Sequence, residues 1–191
     1  MDDERLILRT ARLDLHTVLP GEYRLLAVDR SDPRLWVDRG FANPAGHLVA
    51  DPGPLPHRIP RIEADPQAAP FLLRMAVLRA AGTIIGSAGF HDLPDASGAV
   101  EIGLGIEPGF RRQGYATEVL HGMWGWVIDQ PGVSTLRYTV AAGNVPSVAL
   151  VRGLGFAQAG EQVDAVDGLE LVFEMPADAY RDRYGSQRGD G

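Results

Sequence analysis

The chain has 191 residues, 25 acidic and 18 basic, and a net charge of −7. That balance argues against a nucleic-acid backbone as main partner, because binding one needs a concentrated basic surface. The absence of cysteine removes a disulfide framework, a thiol nucleophile and a thiolate metal site.

A hydrophobic fraction of 45% is ordinary for a globular domain with a sizeable core. No apolar run approaches the roughly 20 residues that cross a bilayer. Met1-Asp2-Asp3-Glu4 is acidic where an export signal is basic, so a cytoplasmic protein is expected, with no membrane partner.

In chain order, residues 5–15 read as a first strand and residues 21–29 as a helix. Residues 43–70 carry seven of the fourteen prolines and are expected to be neither regular helix nor central strand. Such a segment is a binding loop or lid, or a mobile connection. Residues 71–79 and 82–90 have strand character, split by Ala80-Ala81-Gly82, and residues 93–98 form a turn. Residues 100–106 form the next strand, with Gly103 and Gly105 marking a bulge or the close approach of another backbone or ligand.

After it, Ala116, Val119, Leu120, Met123, Trp124, Val127 and Ile128 keep the helical spacing of one apolar stripe. Gln130-Pro131-Gly132 ends that helix. Residues 134–142 alternate, with Leu136, Tyr138 and Val140 on one strand face. Residues 156–166 and 169–175 flank Asp167-Gly168, a hairpin signal. Trp124 and Trp126 are read as core or interface residues and His121 as surface. Residues 186–191 are read as disordered.

The most informative stretch is Glu101-Ile-Gly-Leu-Gly-Ile-Glu-Pro-Gly-Phe-Arg-Arg-Gln-Gly-Tyr-Ala-Thr117. A strand, a tight loop rich in Arg and Gly, and a helix starting near Ala116 aim free backbone N–H groups at one point. The positive dipole end of the helix and two arginines suit a phosphorylated ligand there. A Walker loop is ruled out because the chain has no lysine. A dinucleotide fingerprint is ruled out because Gly109 falls one residue too far after Gly103-x-Gly105.

Arg111-Arg112-Gln113-Gly114-Tyr115-Ala116 resembles the acyl-CoA loop of the GNAT acetyltransferases, Arg/Gln-x-x-Gly-x-Gly/Ala. Asn144-Val-Pro-Ser147, followed by Leu154-Gly155-Phe156, resembles the segment that closes the cofactor site in that family. Arg5-Leu-Ile-Leu-Arg9 with Leu13-Asp14-Leu15 is similar to the opening strand of the RimJ/RimL-like branch. The resemblance implies an α/β GNAT fold: a mixed central β-sheet, splayed at the acyl-CoA site, with helices on both faces. Residues 1–176 would be one acetyltransferase domain and 177–191 a partly disordered C-terminal tail.

The implied reaction moves acetyl from acetyl-CoA, as co-substrate and without a metal, to a primary amine by direct attack in a ternary complex. An ammonium has no lone pair, so a base must take a proton. Glu101 stands where related enzymes place a glutamate and is the expected base; the alternative is a strand-end glutamate facing solvent or pairing with an arginine. Backbone N–H at Ile106 would hold the thioester carbonyl or the pantetheine arm.

Arg111, Arg112, Gln113, Gly114, Tyr115, Ala116 and Thr117 would surround the pyrophosphate. Asn144 would cap a helix and also touch the pantetheine arm. Ser147 would approach the CoA sulfur and assist its departure. Many relatives carry a tyrosine as general acid where this chain has Val151, so that acid is absent, or water, Ser147 or Tyr115 substitutes. His91 reads as a second base or as a structural strand-end histidine.

The expected acceptor is a small amine or a protein N-terminus, and a homodimer is the expected assembly. A non-catalytic acyl-CoA-binding or sensor protein is the alternative.

Overall fold

The protein is described from a computed structural model that covers residues 7–165 and 168–185. It divides into two compact units. The first is Met1–Leu93 with Leu104–Met123, and the second is Pro94–Gly103 with Trp124–Gly191.

The first unit starts with β1 (Ile7–Arg9) and β2 (Leu13–Thr17), antiparallel with Leu8 opposite Leu15. The expected single strand over 5–15 is thus a hairpin. Thr10 turns the chain, its N–H donating to the Leu13 carbonyl and its hydroxyl oxygen accepting from the Leu13 N–H. Arg5 and Leu6 lie outside the described residues. Helix α1 (Pro20–Val28) follows, then the proline-rich segment.

That segment contains α2 (Leu55–Ala64), which overturns the expectation that it holds no regular helix. The prolines fit because one stands in the first turn, where an N–H would be unpaired anyway. Pro60, inside the helix, forfeits one bond, and core burial compensates. Leu55 and Ile62 are buried, Ile59 packs beside them, and Arg58 donates to the carbonyls of Leu72 and His91. The spacing Leu55, Ile59, Ile62 is the helical signal that the proline count obscured.

A short α3 (Ala69–Leu72) takes Phe71 out of the strand expected at 71–79, which begins at Arg74 as β3 (Arg74–Leu78). β3 pairs antiparallel with β2 on one side and with β4 (Thr83–Phe90) on the other. Tyr23, Leu26, Leu55, Leu72, Met75 and Ile84 centre this unit's core.

Strand β5 (Ala99–Ile106) passes from the second unit into the first, and α4 (Tyr115–Val127) passes back. In the second unit β5 runs parallel to β6 (Thr135–Ala141), and their register covers Ala99–Glu101 against Thr135–Arg137. β6 pairs antiparallel with β8 (Gly168–Pro176), which pairs with β7 (Ala157–Asp164) as the expected hairpin. Its turn residue Asp167 lies outside the described residues.

Parallel and antiparallel pairs together make the sheet mixed, and the fold is α/β. The alternating burial of β6 places Leu136, Tyr138 and Val140 on the buried face, as the sequence pattern requires. Trp124 is fully buried, stacked on Phe156 at 4.5 Å and edge-on to Tyr180 at 5.9 Å. Tyr180 belongs to α6 (Ala177–Tyr184), so the segment read as a tail opens with a helix that contributes to the core. Residues 186–191 lie outside the described residues. Among the described residues no helix is long and apolar enough to cross a membrane.

Candidate active site

The turn between β5 and α4 is built from backbone strain and side-chain braces. Arg111 Nε donates back to the Ile106 carbonyl at 2.8 Å, folding the loop onto the strand end. Arg112 has φ 64° and Gly114 φ 81°, two left-handed positions within three residues. Glycine takes that conformation freely, whereas an L side chain pays about 1–2 kcal/mol.

The turn delivers the chain into α4, whose first intrahelical bond is Glu118 N–H to the Gly114 carbonyl. The N–H groups of Tyr115, Ala116 and Thr117 precede that bond and have no intrahelical acceptor. Arg112, Gln113 and Gly114 are exposed, Ala116 and Thr117 half-buried, and Tyr115 buried. Exposed cationic and amide groups, a residue without Cβ and unbonded helix-start donors fit a diphosphate.

Arg12, which carried no signal in the sequence, braces this turn from the hairpin between β1 and β2. Its guanidinium donates to the Gln113 carbonyl at 3.0 Å, pairs with Glu118 at 2.7 Å and covers the Tyr115 ring at 4.2 Å. Thr10 Oγ donates to Glu118 at 2.6 Å. Burial would raise the Glu118 carboxyl, but bonds from Thr10 and Arg12 outweigh it and hold it below the usual range.

In the second unit Asn144 caps α5 (Val145–Gly153), its side-chain oxygen accepting from Ser147 N–H at 3.3 Å. The Ser147 hydroxyl bonds the Tyr138 side chain. Burial pushes the Tyr138 hydroxyl above its ordinary value, the Ser147 bond only partly opposing this, so it stays protonated at neutral pH. Sequence reading placed Tyr138 on the buried face of a strand and missed this pairing. Val151 is fully buried in α5.

Glu101 is half-buried on β5, in register with Arg137 of β6. Arg137 pairs with Glu174 at 2.7 Å. His121 is half-buried, which lowers its pKa. The structure thus gathers Ile106 and residues 111–117 in one unit, and Asn144, Ser147 and Tyr138 in the other.

The sequence matches the profile of the acetyltransferase (GNAT) domain over residues 5–157. A relative described as the uncharacterized N-acetyltransferase YjdG of Bacillus subtilis is 32% identical over 73 residues, which are 38% of this chain and 44% of that relative's length. The chain therefore spans less than half of that relative.

Among solved structures, the spermidine/spermine N-acetyltransferase SpeG of Vibrio cholerae superposes with a TM-score of 0.61 at 14% identity, covering 91% of this chain and 98% of that one. RimL, a ribosomal L7/L12 alpha-N-protein acetyltransferase in complex with coenzyme A, gives a TM-score of 0.61 at 14% identity, covering 91% and 99%. At that identity these two likenesses speak for the fold. The profile match spans most of the sequence, and on it this chain belongs to the GNAT acetyltransferase family.

Proposed function

We propose that this chain is an N-acetyltransferase of the RimJ/RimL-like branch that transfers acetyl from acetyl-CoA to a primary amine by direct attack in a ternary complex. The observation that carries the reading is the left-handed turn at Arg112 and Gly114 opening α4, with three helix-start N–H groups unbonded within the helix. Acetyl-CoA supplies an activated acyl thioester when bound.

Arg112, Gln113 and the N–H groups of Tyr115 to Thr117 hold its diphosphate, and Arg111 sets the loop by gripping Ile106. The Ile106 N–H polarises the thioester carbonyl, and Asn144 adds a contact to the pantetheine arm. Glu101 takes a proton from the acceptor ammonium. Ser147, backed by the protonated Tyr138 hydroxyl, supplies a proton to the departing thiolate, a role that Val151 leaves unfilled. Residues 1–176 act as one catalytic domain.

The acceptor is a small amine or a protein N-terminus, the two classes that the names of the SpeG and RimL structures carry. Acetyl-CoA is an intracellular metabolite, so the compartment is the cytoplasm, with a homodimer as the assembly.

The test is incubation with acetyl-CoA and a panel of polyamines, other small amines and peptides with free N-termini, following released thiol and the mass of each acceptor. The expected result is stoichiometric thiol release and a singly acetylated amine. Measurable CoA affinity without thiol above background would establish the sensor instead.

A further inference from the structure

Arg12 stands beside the turn into α4 with part of its guanidinium uncommitted. Nε donates to Glu118 Oε2 at 2.7 Å, and Nη1 donates to the Gln113 carbonyl at 3.0 Å. Among the described residues Nη2 has no partner, so its two hydrogens are left over. The side chain is 45% exposed, which opens those hydrogens to solvent.

Exposure and a fixed position rarely go together in an arginine, because holding the long side chain still costs rotamer entropy. Here the Arg12 N–H also donates to Glu118 Oε1 at 2.6 Å, and the guanidinium covers the Tyr115 ring at 4.2 Å. The group is therefore in place before a ligand arrives, and a further bond from Nη2 adds little ordering cost. The Glu118 carboxylate is turned to the hairpin: Oε1 accepts from Thr10 Oγ and Arg12 N–H, and Oε2 from Arg12 Nε.

Position decides what that bond reaches. A Cβ on Gly114 would have one heavy atom within 4 Å, Arg12 Nη2 at 3.5 Å. Nη2 thus borders the space that the glycine leaves empty. Gly114 also accepts the first intrahelical bond of α4, directly before the unbonded N–H groups of Tyr115, Ala116 and Thr117.

The other end of the turn is anchored as well. Glu107 N–H donates to the Ile85 carbonyl at 2.9 Å, its carboxylate meets His47 Nδ1, and His47 Nε2 bonds Ser87 Oγ at 2.8 Å. All of these residues belong to the first unit.

We infer that Arg12 is a direct ligand of the CoA diphosphate, donating from Nη2 across Gly114. The inference rests on the acetyl-CoA reading above and adds a cation from the β1–β2 turn to the loop's own Arg112. A charge-assisted bond to a phosphate oxygen is stronger than the neutral kind. Glycine at 114 then has two reasons: its left-handed φ, and a gap between Arg12 and the helix start that a larger side chain would fill.

Arg12→Ala removes brace and contact together, so the test uses two substitutions that separate them. Lysine keeps a cation within reach of a phosphate but cannot reproduce the contacts of the planar guanidinium, and glutamine keeps no charge. Calorimetry on the full chain follows CoA and dephospho-CoA, which lacks the 3′-phosphate. Arg12→Gln should weaken both ligands about tenfold, and Arg12→Lys should keep both within about threefold of the parent. Binding to Arg12→Gln should also depend less steeply on ionic strength, because one exposed pair of opposite charges is gone.

Equal losses in the two variants, with the parent's salt dependence, leave Arg12 as a brace and overturn the contact. A loss confined to CoA moves the bond to the 3′-phosphate and overturns it too. Should either variant fail to fold, crystals of the parent soaked in CoA decide the matter. A diphosphate oxygen about 3 Å from Arg12 Nη2 is the expected result, and a diphosphate at the start of α4 with no oxygen that near refutes the inference. A parent that binds neither ligand removes the acetyl-CoA reading as well.

Discussion

Arg12 Nε meets Glu118 Oε2 at 2.7 Å, and through this pair the β1–β2 turn grips the first turn of α4, 106 residues away in sequence. Glu118 also accepts the Arg12 N–H and the Thr10 hydroxyl, both at 2.6 Å. An exposed ion pair alone contributes little, but this carboxylate satisfies three donors at once. Glu118→Ala should therefore cost about 1–3 kcal/mol of folding stability, read from the denaturant midpoint. Arg12→Ala should lower CoA affinity about tenfold, since Gln113 and Tyr115 lose their brace; calorimetry would show it, and unchanged affinity would detach the hairpin from the loop's function.

Gly114 sits at φ 81°, and a Cβ there would find only Arg12 Nη2, at an ordinary 3.5 Å. The cost of Gly114→Ala is then conformational, about 1–2 kcal/mol, with weakened CoA binding. Gly114→Glu adds a negative group where a diphosphate is proposed and should abolish binding. A glutamate variant that folds and still binds CoA would move the diphosphate elsewhere.

Glu101→Gln keeps the shape of the side chain and removes its basicity. A drop in kcat of about 100-fold with CoA affinity unchanged is the expected pattern in steady-state and binding assays. An unaltered kcat would assign that proton to another group.

His16 provides a pH-dependent component of stability. Burial, then the Arg39 guanidinium, pushes its imidazole down to about 4, with Arg74 and Arg9 adding and Asp14 opposing. Arg39 Nη2 stands 3.3 Å from His16 Nδ1 and can only donate, so the folded protein holds the neutral ring. The unfolded chain binds the proton from about pH 6.5 downward. Stability from this site is therefore complete above pH 6.5 and is lost as pH falls toward about 4. Urea midpoints measured across that interval should fall less steeply in His16→Gln than in the parent.

Elements that announce themselves through local spacing were legible in the chain. The stripe from Val119 to Ile128 is buried at every member, and the alternation at Leu136, Tyr138 and Val140 is the buried face of β6. The helix α2 was hidden because Pro56 and Pro60 signal a breaker locally. Burial of Leu55 and Ile62 outweighs them, and burial is a tertiary quantity. The hairpin at Thr10 was hidden because residues on both sides of the turn favour strand.

The order of residues from Glu101 to Thr117 determined by itself that a strand passes through a glycine-bearing turn into a helix, since turn and helix-start chemistry are local properties of the backbone. Which side chains surround that turn was decided only by the tertiary structure. Arg12 reaches Glu118, and His47 lies between Ser87 and Glu107, because separate strands and loops bring them within 3 Å. No periodicity along the chain encodes a distance between residues forty or a hundred positions apart. Chain packing sets it.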